Sequence, residues 1–179
     1  FTDPPYGIDL DTDWSKVKSK LKFYQEKGCQ RQGNKYDKVI GDNIPFDIYP
    51  FLALFENVRE QFWWGGDYYL AGVQSGSWFV WDKRVDEVFD RMFGSCFELC
   101  WSKTKHRREI ARIRWAGIFG SEKEPDKDKS RIHPTQKPVE LCSWFIGKFS
   151  SLGQVIVDIF GGSGSTLIMS GCRIFCLTN

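Results

Sequence analysis

The run Val155-Ile156-Val157-Asp158-Ile159-Phe160-Gly161-Gly162-Ser163-Gly164-Ser165-Thr166 constrains this chain more than any other stretch. Its apolar, β-branched start reads as a buried strand from Val155 to Ile159. Glycines then break the strand as a turn, and Thr166 to Ser170 opens a helix. Strand, glycine turn and helix start, in that order, belong to an α/β sheet wound with helices. Gly162 and Gly164 keep side chains out of the turn, Asp158 ends the strand, and the helix start offers free N–H groups, which together make a crevice for a small ligand. No Lys precedes the Ser/Thr, which excludes a P-loop, and the GxGxxG spacing of a dinucleotide fingerprint is absent. A purely structural turn between strand and helix satisfies the same residues.

The rest of the chain alternates in the same manner. Phe1-Thr2 is the last step of a strand that ends in Asp3-Pro4-Pro5-Tyr6, because consecutive prolines forbid both helix and ladder hydrogen bonds. Residues 9–45 are polar and mixed, with Trp14, Val17, Leu21 and Tyr24 at helical spacing and Gly41-Asp42-Asn43 as a closing turn, which predicts a short helix in a mobile lobe. Pro50 to Phe62 has the period of a core-facing helix. Strands are expected over Tyr68–Val73, Ser77–Trp81 and Phe97–Trp101, with a helical stretch over Val85–Met92. Ser121 to Arg131 is a charged loop, Val139 to Phe149 an amphipathic helix with Pro at its start, and Arg173 to Leu177 one more strand.

At 179 residues the chain suits one domain over 1–179 with one inserted segment. Aromatics at 16% and charged residues at 27% exclude a disordered chain. No apolar run approaches the roughly 20 residues of a membrane span. The start Phe1-Thr2-Asp3-Pro4 has neither the charged nor the apolar region of a secretory signal and no initiator Met, so it reads as a cut end. Six cysteines (Cys29, Cys96, Cys100, Cys142, Cys172, Cys176) sit mostly in apolar company, as free thiols of a reduced intracellular protein do. Cys96, Cys100, His106 and His133 lack any CxxC pair, and no metal is expected. Net charge is only +2, so any nucleic-acid contact must come from clustered charge. One cluster stands out, with Lys103, Lys105, Arg107, Arg108, Arg112 and Arg114 between Trp101 and Trp115. It suits phosphate contacts, or equally a solvated helix face partly balanced by Glu109.

Two further segments carry chemistry. In Asp3-Pro4-Pro5-Tyr6, the Asp3 carboxylate and the Pro4 carbonyl can each accept an N–H bond from a planar amine, the prolines stiffen their presentation, and Tyr6 offers a flat face for a flipped-out base. An Asp-Pro turn with a surface Tyr is the plain alternative. His133-Pro134-Thr135-Gln136-Lys137-Pro138 leads directly into a helix, where Lys137 or the helix N-terminus could hold a carboxylate; a rigid loop that starts a helix is the plain alternative.

Taken together, these three ordered segments resemble the amino-group DNA methyltransferases of the permuted group, in which Asp-Pro-Pro-Tyr precedes the cofactor turn. The pattern Asp158-x-Phe160-x-Gly162-x-Gly164 is similar to S-adenosylmethionine sites, and Ser77 to Arg84 and Phe97 to Trp101 look like the family's central strands. The resemblance spans essentially the whole chain. It implies a Rossmann-like methyltransferase fold, mostly parallel with helices on both faces and a circularly permuted motif order, truncated at both ends. It also implies a target-recognition insertion over 102–131 carrying the basic cluster. Asp3, Pro4, Pro5 and Tyr6 would be catalytic. Asp158, Phe160, Gly161, Gly162, Ser163, Gly164, Ser165, Thr166, Thr135, Lys137 and Pro138 would bind S-adenosylmethionine. The family carries Asp at the first catalytic position mainly in adenine enzymes and Ser in cytosine N4 enzymes. The implied reaction is therefore methylation of adenine N6 in double-stranded DNA, with cytosine N4 or RNA methylation, or DNA binding without catalysis, as alternatives. A cytoplasmic protein of bacterial, phage or mobile-element origin follows, with a cognate restriction endonuclease as a partner of such enzymes. Thr178 stands about where the family has its ribose-binding acid, which predicts weak binding of the cofactor.

Overall fold

The computed structural model describes residues 1–13, 15, 35–72, 75–90, 94–115, 133–168 and 173–176. The helix expected around Trp14 to Tyr24 and the charged loop at 121–131 lie outside them. Among the described residues the helices and strands follow in order: α1 (Tyr49–Leu54), β1 (Phe62–Trp64), α2 (Gly66–Tyr69), β2 (Ser77–Asp82), β3 (Phe97–Ser102), β4 (Glu109–Arg112), α3 (Val139–Phe149), β5 (Val155–Asp158) and β6 (Arg173–Cys176). The class is α/β.

The sheet is mixed where a mostly parallel one was expected. Four strands lie in the order β1-β3-β2-β4, with β3 antiparallel to both neighbours and β2 parallel to β4. Only a 3-10 turn at Glu87–Phe89 interrupts the described part of the segment between β2 and β3, so the chain doubles back there instead of crossing over through a long helix. β5 and β6 form a parallel pair. Thr2 pairs in parallel with Trp63 of β1, exchanging backbone bonds with Phe62 and Trp64, while the Phe1 amino group reaches the Val157 carbonyl of β5 at 3.3 Å. The first two residues thus lie between β1 and β5, as the strand end read from Phe1-Thr2.

Aromatic side chains alternate across the sheet as strand geometry dictates. Phe62, Trp64, Phe79, Trp81, Cys100 and Ala111 face one side and meet Leu141 and Phe145 of α3. Trp63 and Trp101 face the other and meet Ile48, Tyr69 and Leu70. Cys142 and Ile146 carry α3 onward to Ile156 of β5, with Phe1 against them, so one helix ties both sheets together.

Several elements differ from expectation. The helix expected over Pro50 to Phe62 is the single α1; it buries no residue, and Phe62 already belongs to β1, whose Phe-Trp-Trp run is a sheet core on both faces. The described part of the strand expected over Tyr68–Val73, residues 68–72, is no strand: Tyr68 and Tyr69 sit in α2, a single turn. Over residues 85–90, the described part of the helix expected at Val85–Met92, there is only the 3-10 turn, and Val85 has φ 66°, which a helix cannot contain. The basic cluster is not a helix face, since Glu109–Arg112 forms β4 with Ala111 buried against the core. Ile113 and Trp115 also bond back to the backbone of Asp82 and Lys83. The insertion expected from residue 102 therefore begins with sheet. No helix among the described residues is long and apolar enough to cross a membrane.

Candidate active site

Three segments far apart in sequence meet at the junction of β1, β5 and α3. Asp158, at the carboxyl end of β5, is almost fully buried. Its Oδ1 accepts from the Thr2 hydroxyl at 2.9 Å and from the Phe160 N–H at 3.1 Å, and its Oδ2 accepts from the Thr166 hydroxyl at 2.8 Å. This carboxylate closes the glycine turn on itself and clamps it to the residue before Asp3. Ser165 donates to the Lys137 carbonyl at 2.7 Å, joining the turn to the start of α3. Lys137 in turn reaches Asp3 Oδ2 at 2.6 Å.

Around Asp3 the groups are buried and charged. The Tyr6 hydroxyl donates to Asp3 Oδ1 at 2.7 Å and lies 3.4 Å from Lys137 Nζ. Lys137 also faces Glu98 Oε2 at 3.1 Å, and Glu98 pairs with Lys83 through its other oxygen. Burial raises the Asp3 carboxyl above the ordinary carboxylate value; Lys137 draws it down and Glu98 pushes it up again. Burial also works against the charge of Glu98, yet Lys137 and Lys83 hold its carboxyl at about 2. Lys137 itself is held above its ordinary value: burial opposes its charge, but Asp3 and Glu98 outweigh that. Burial, then the nearby acids Asp3 and Glu98, push the Tyr6 phenol well up, so it is a proton donor at any working pH.

Tyr6 stacks on Tyr68 of α2 with ring centroids 4.8 Å apart and planes 12° from parallel. Its ring lies against Gly65, where a Cβ would fall 2.1 Å from a ring carbon and where φ is 68°. Glycine at 65 is thus required by contact and by backbone alike. Asp42 fixes the same loop from outside: its carboxylate accepts from the N–H groups of Gly7 at 2.9 Å and Leu10 at 2.8 Å.

The glycine turn is uncrowded among the described residues. Gly162 and Gly164 have φ of 48° and 73°, and a Cβ at either would meet nothing nearer than 3.8 Å. Those are ordinary van der Waals distances, to His133 and Leu167 among others, so nothing among the described residues crowds the turn. Phe160 borders it, edge-on to Phe46 and Phe51. His133 sits beside Gly162, its Nδ1 3.1 Å from the Thr135 hydroxyl, and Pro138 caps α3.

Of the residues singled out in the sequence, the structure gathers Asp3, Tyr6, Lys137, Asp158, Ser165 and Thr166 into one bonded cluster. Asp158, Ser165 and Thr166 spend their polar atoms within the turn and on its ties to Thr2 and to the start of α3, and Lys137 spends its ammonium on Asp3 and Glu98, where the sequence pointed it to a ligand carboxylate. The cationic cluster lies elsewhere: Lys105, Arg107, Arg108 and Arg112 are exposed, Lys103 is tied to the carbonyls of Glu56 and Val58, and the Arg114 guanidinium lies 3.8 Å from the Phe89 ring centre. Glu98, Lys83, Gly65, Tyr68 and Asp42 are not among the site residues that the sequence offers. Glu98 alone had a usable signal, as the one acid within the apolar strand Phe97–Trp101; Asp42 was visible only as part of a turn.

With this geometry in view, known proteins were compared with the chain. The family described as DNA methylase, of the N6/N4 type, matches residues 58–172. The chain belongs to the N6/N4 DNA methylase family. Among solved structures, the M1.HpyAVI–SAM complex is similar over 99% of this chain and 81% of that one, at 17% identity and a TM-score of 0.36, which is a loose likeness. Family membership places DNA among this chain's substrates and makes methyl transfer its reaction class.

Proposed function

We propose that this member of the N6/N4 DNA methylase family transfers a methyl group from S-adenosylmethionine to the N6 nitrogen of an adenine flipped out of double-stranded DNA. The observation that carries the reading is the convergence of Asp3, Lys137 and the glycine turn, joined by Thr2–Asp158, Asp3–Lys137 and Ser165–Lys137 bonds across up to 156 residues of sequence.

An exocyclic amine is a weak nucleophile because its lone pair is delocalised into the ring. Asp3 and the Pro4 carbonyl answer that by accepting its N–H bonds and fixing its orientation. Each carboxylate oxygen of Asp3 has roughly two acceptor positions. Tyr6 takes one on Oδ1 and Lys137 one on Oδ2, which leaves capacity for the amine. Burial raises the Asp3 carboxyl, and Lys137 works against that rise, favouring the ionised form that can accept. Tyr6 adds the apolar face on which the extruded base stacks.

S-adenosylmethionine, when bound, supplies an electrophilic methyl group on a sulfonium. The uncrowded glycine backbone at Gly162 and Gly164 fits such a group, with Phe160 and the backbone from Gly161 to Gly164 as its seat and Asp158, Ser165 and Thr166 as the bonds that keep the seat in shape. Lys137, already committed to two acids, keeps the acceptor in place and is not the anchor of the donor. The fold we infer is the Rossmann-like methyltransferase sheet in permuted order; its support is the catalytic loop leaving the strand end beside β5, next to the carboxyl end where α/β sheets take ligands. Lys105, Arg107, Arg108 and Arg112 make the phosphate contacts. Asp at the first catalytic position, rather than Ser, favours adenine.

Nucleoside mass spectrometry of unmethylated duplex DNA, incubated with the chain and S-adenosylmethionine, tests the base. N6-methyladenine is the expected product; N4-methylcytosine would replace adenine by cytosine in this account, and unmodified DNA that is nonetheless bound would remove the catalytic step from it.

A further inference from the structure

Glu98 belongs to none of the three motif segments, yet among the described residues it is the carboxylate that shares the Lys137 ammonium with Asp3. It rises from β3, in the middle of the sheet, with its side chain about one-fifth exposed, and Lys83 from the end of β2 neutralises its other oxygen. The result is a linear chain of alternating charge, Lys83–Glu98–Lys137–Asp3, closed by the Tyr6 hydroxyl on Asp3. Lys137 has three N–H donors on a flexible stem. Without a second acid it would have no reason to hold one geometry; with Glu98 at 3.1 Å and Asp3 at 2.6 Å its position is set from two sides.

We propose that Glu98 is a positioning residue for Asp3: it anchors Lys137 from the rigid sheet, and by dividing the cation between two acids it sets the charge and orientation of the carboxylate that receives the target amine. This rests on the methyltransferase reading above for what Asp3 does, although the coupling itself is a property of the folded chain. The groups around Asp3 are few. Tyr6 and Tyr69 are phenols pushed up chiefly by burial, and Cys100 and Cys142 are thiols pushed up chiefly by burial, the latter to about 12. All four are neutral over the working range, so among the described residues Lys137 and Glu98 are the charges that act on Asp3, with Lys83 and Asp67 next to Glu98.

The signs follow from this arrangement. Lys137→Gln removes the cation, so Asp3 takes up its proton at higher pH and the acid limb of the methyl-transfer rate moves up by about one pH unit or more. Glu98→Gln removes a negative charge and leaves Lys137 wholly to Asp3, so the limb moves down. Lys83→Gln, at the far end of the chain, leaves Glu98 to compete harder for Lys137, and the limb moves up. A merely structural role would lower kcat in all three and move the limb in none.

The test is a pH profile of methyl transfer by the full chain and the three variants, beside a carbon-13 NMR titration of aspartate-labelled protein, with Asp3 assigned through Asp3→Asn. Opposite displacements in Lys137→Gln and Glu98→Gln, with Lys83→Gln following Lys137→Gln, are expected in both measurements. An Asp3 titration that stays put, or moves the same way in all three variants, overturns the proposal. Should the parent chain transfer no methyl group, the catalytic reading falls while the NMR titration still decides the coupling; should Glu98→Gln fail to fold, the comparison of Lys137→Gln and Lys83→Gln with the parent decides it.

Discussion

Single residues carry two separable tasks at this site, and substitutions distinguish them. Asp158 holds structure: three donors converge on its carboxylate, two of them hydroxyls from opposite ends of the chain. Asp158→Asn keeps the shape but turns an N–H₂ group towards a donor, which strands a buried polar group and costs about 1–3 kcal/mol. A chemical denaturation midpoint should fall accordingly, and an unchanged midpoint would show that the Thr2 and Thr166 bonds contribute little. Gly65 serves the Tyr6 ring. Gly65→Ala drives a methyl group into that ring at a left-handed φ, so Tyr6 must leave its place on Tyr68. Methyl transfer is expected to fall at least about tenfold, the effect of a misplaced contact of some 1.4 kcal/mol, with DNA affinity retained; activity equal to the parent's would mean that the Tyr6 seat is not used.

Among the elements, α3 and β5 were legible from sequence almost to the residue, because one has a clean amphipathic period after a proline and the other a β-branched run before glycines. β1 and α2 were not. Phe62-Trp63-Trp64 has no alternation to read, since both its faces are buried, and the Tyr68-Tyr69 pair has the composition of a strand although Gly65 and Gly66 turn the backbone into a helical turn first. The catalytic loop was readable as chemistry through Asp3 and Tyr6, whereas Glu98 and Lys83 gain their meaning only from the register that sets β2 against β3. β4 shows the same limit: its exposed Arg112 alternates with buried Ala111, a strand pattern hidden in a basic run. As an edge strand it offers charge outward without exposing an apolar edge. Replacing Arg107 and Arg108 together by Ala should weaken DNA binding alike for all sequences and lower the slope of log affinity against log salt by roughly two. A slope that does not change would place the DNA elsewhere on the molecule.

Across the whole molecule, one helix joins two sheets. Phe145 of α3 packs on Phe1, Trp64 and Phe79, so the helix that delivers Lys137 is also the wall against which the catalytic loop's strand lies. Phe145→Ala should cost about 3–5 kcal/mol in stability and, through Phe1, loosen the alignment of Asp3 with the glycine turn; thermal unfolding that matches the parent's would contradict that packing. The central claim is that this junction methylates DNA through Asp3. The direct measurement is transfer of labelled methyl from S-adenosylmethionine to unmethylated duplex DNA by the chain and by Asp3→Ala under the same salt. Label that enters DNA with the parent and is lost with Asp3→Ala, while both bind DNA equally, is the predicted result; label that persists in Asp3→Ala, or never enters DNA with the parent, would contradict it.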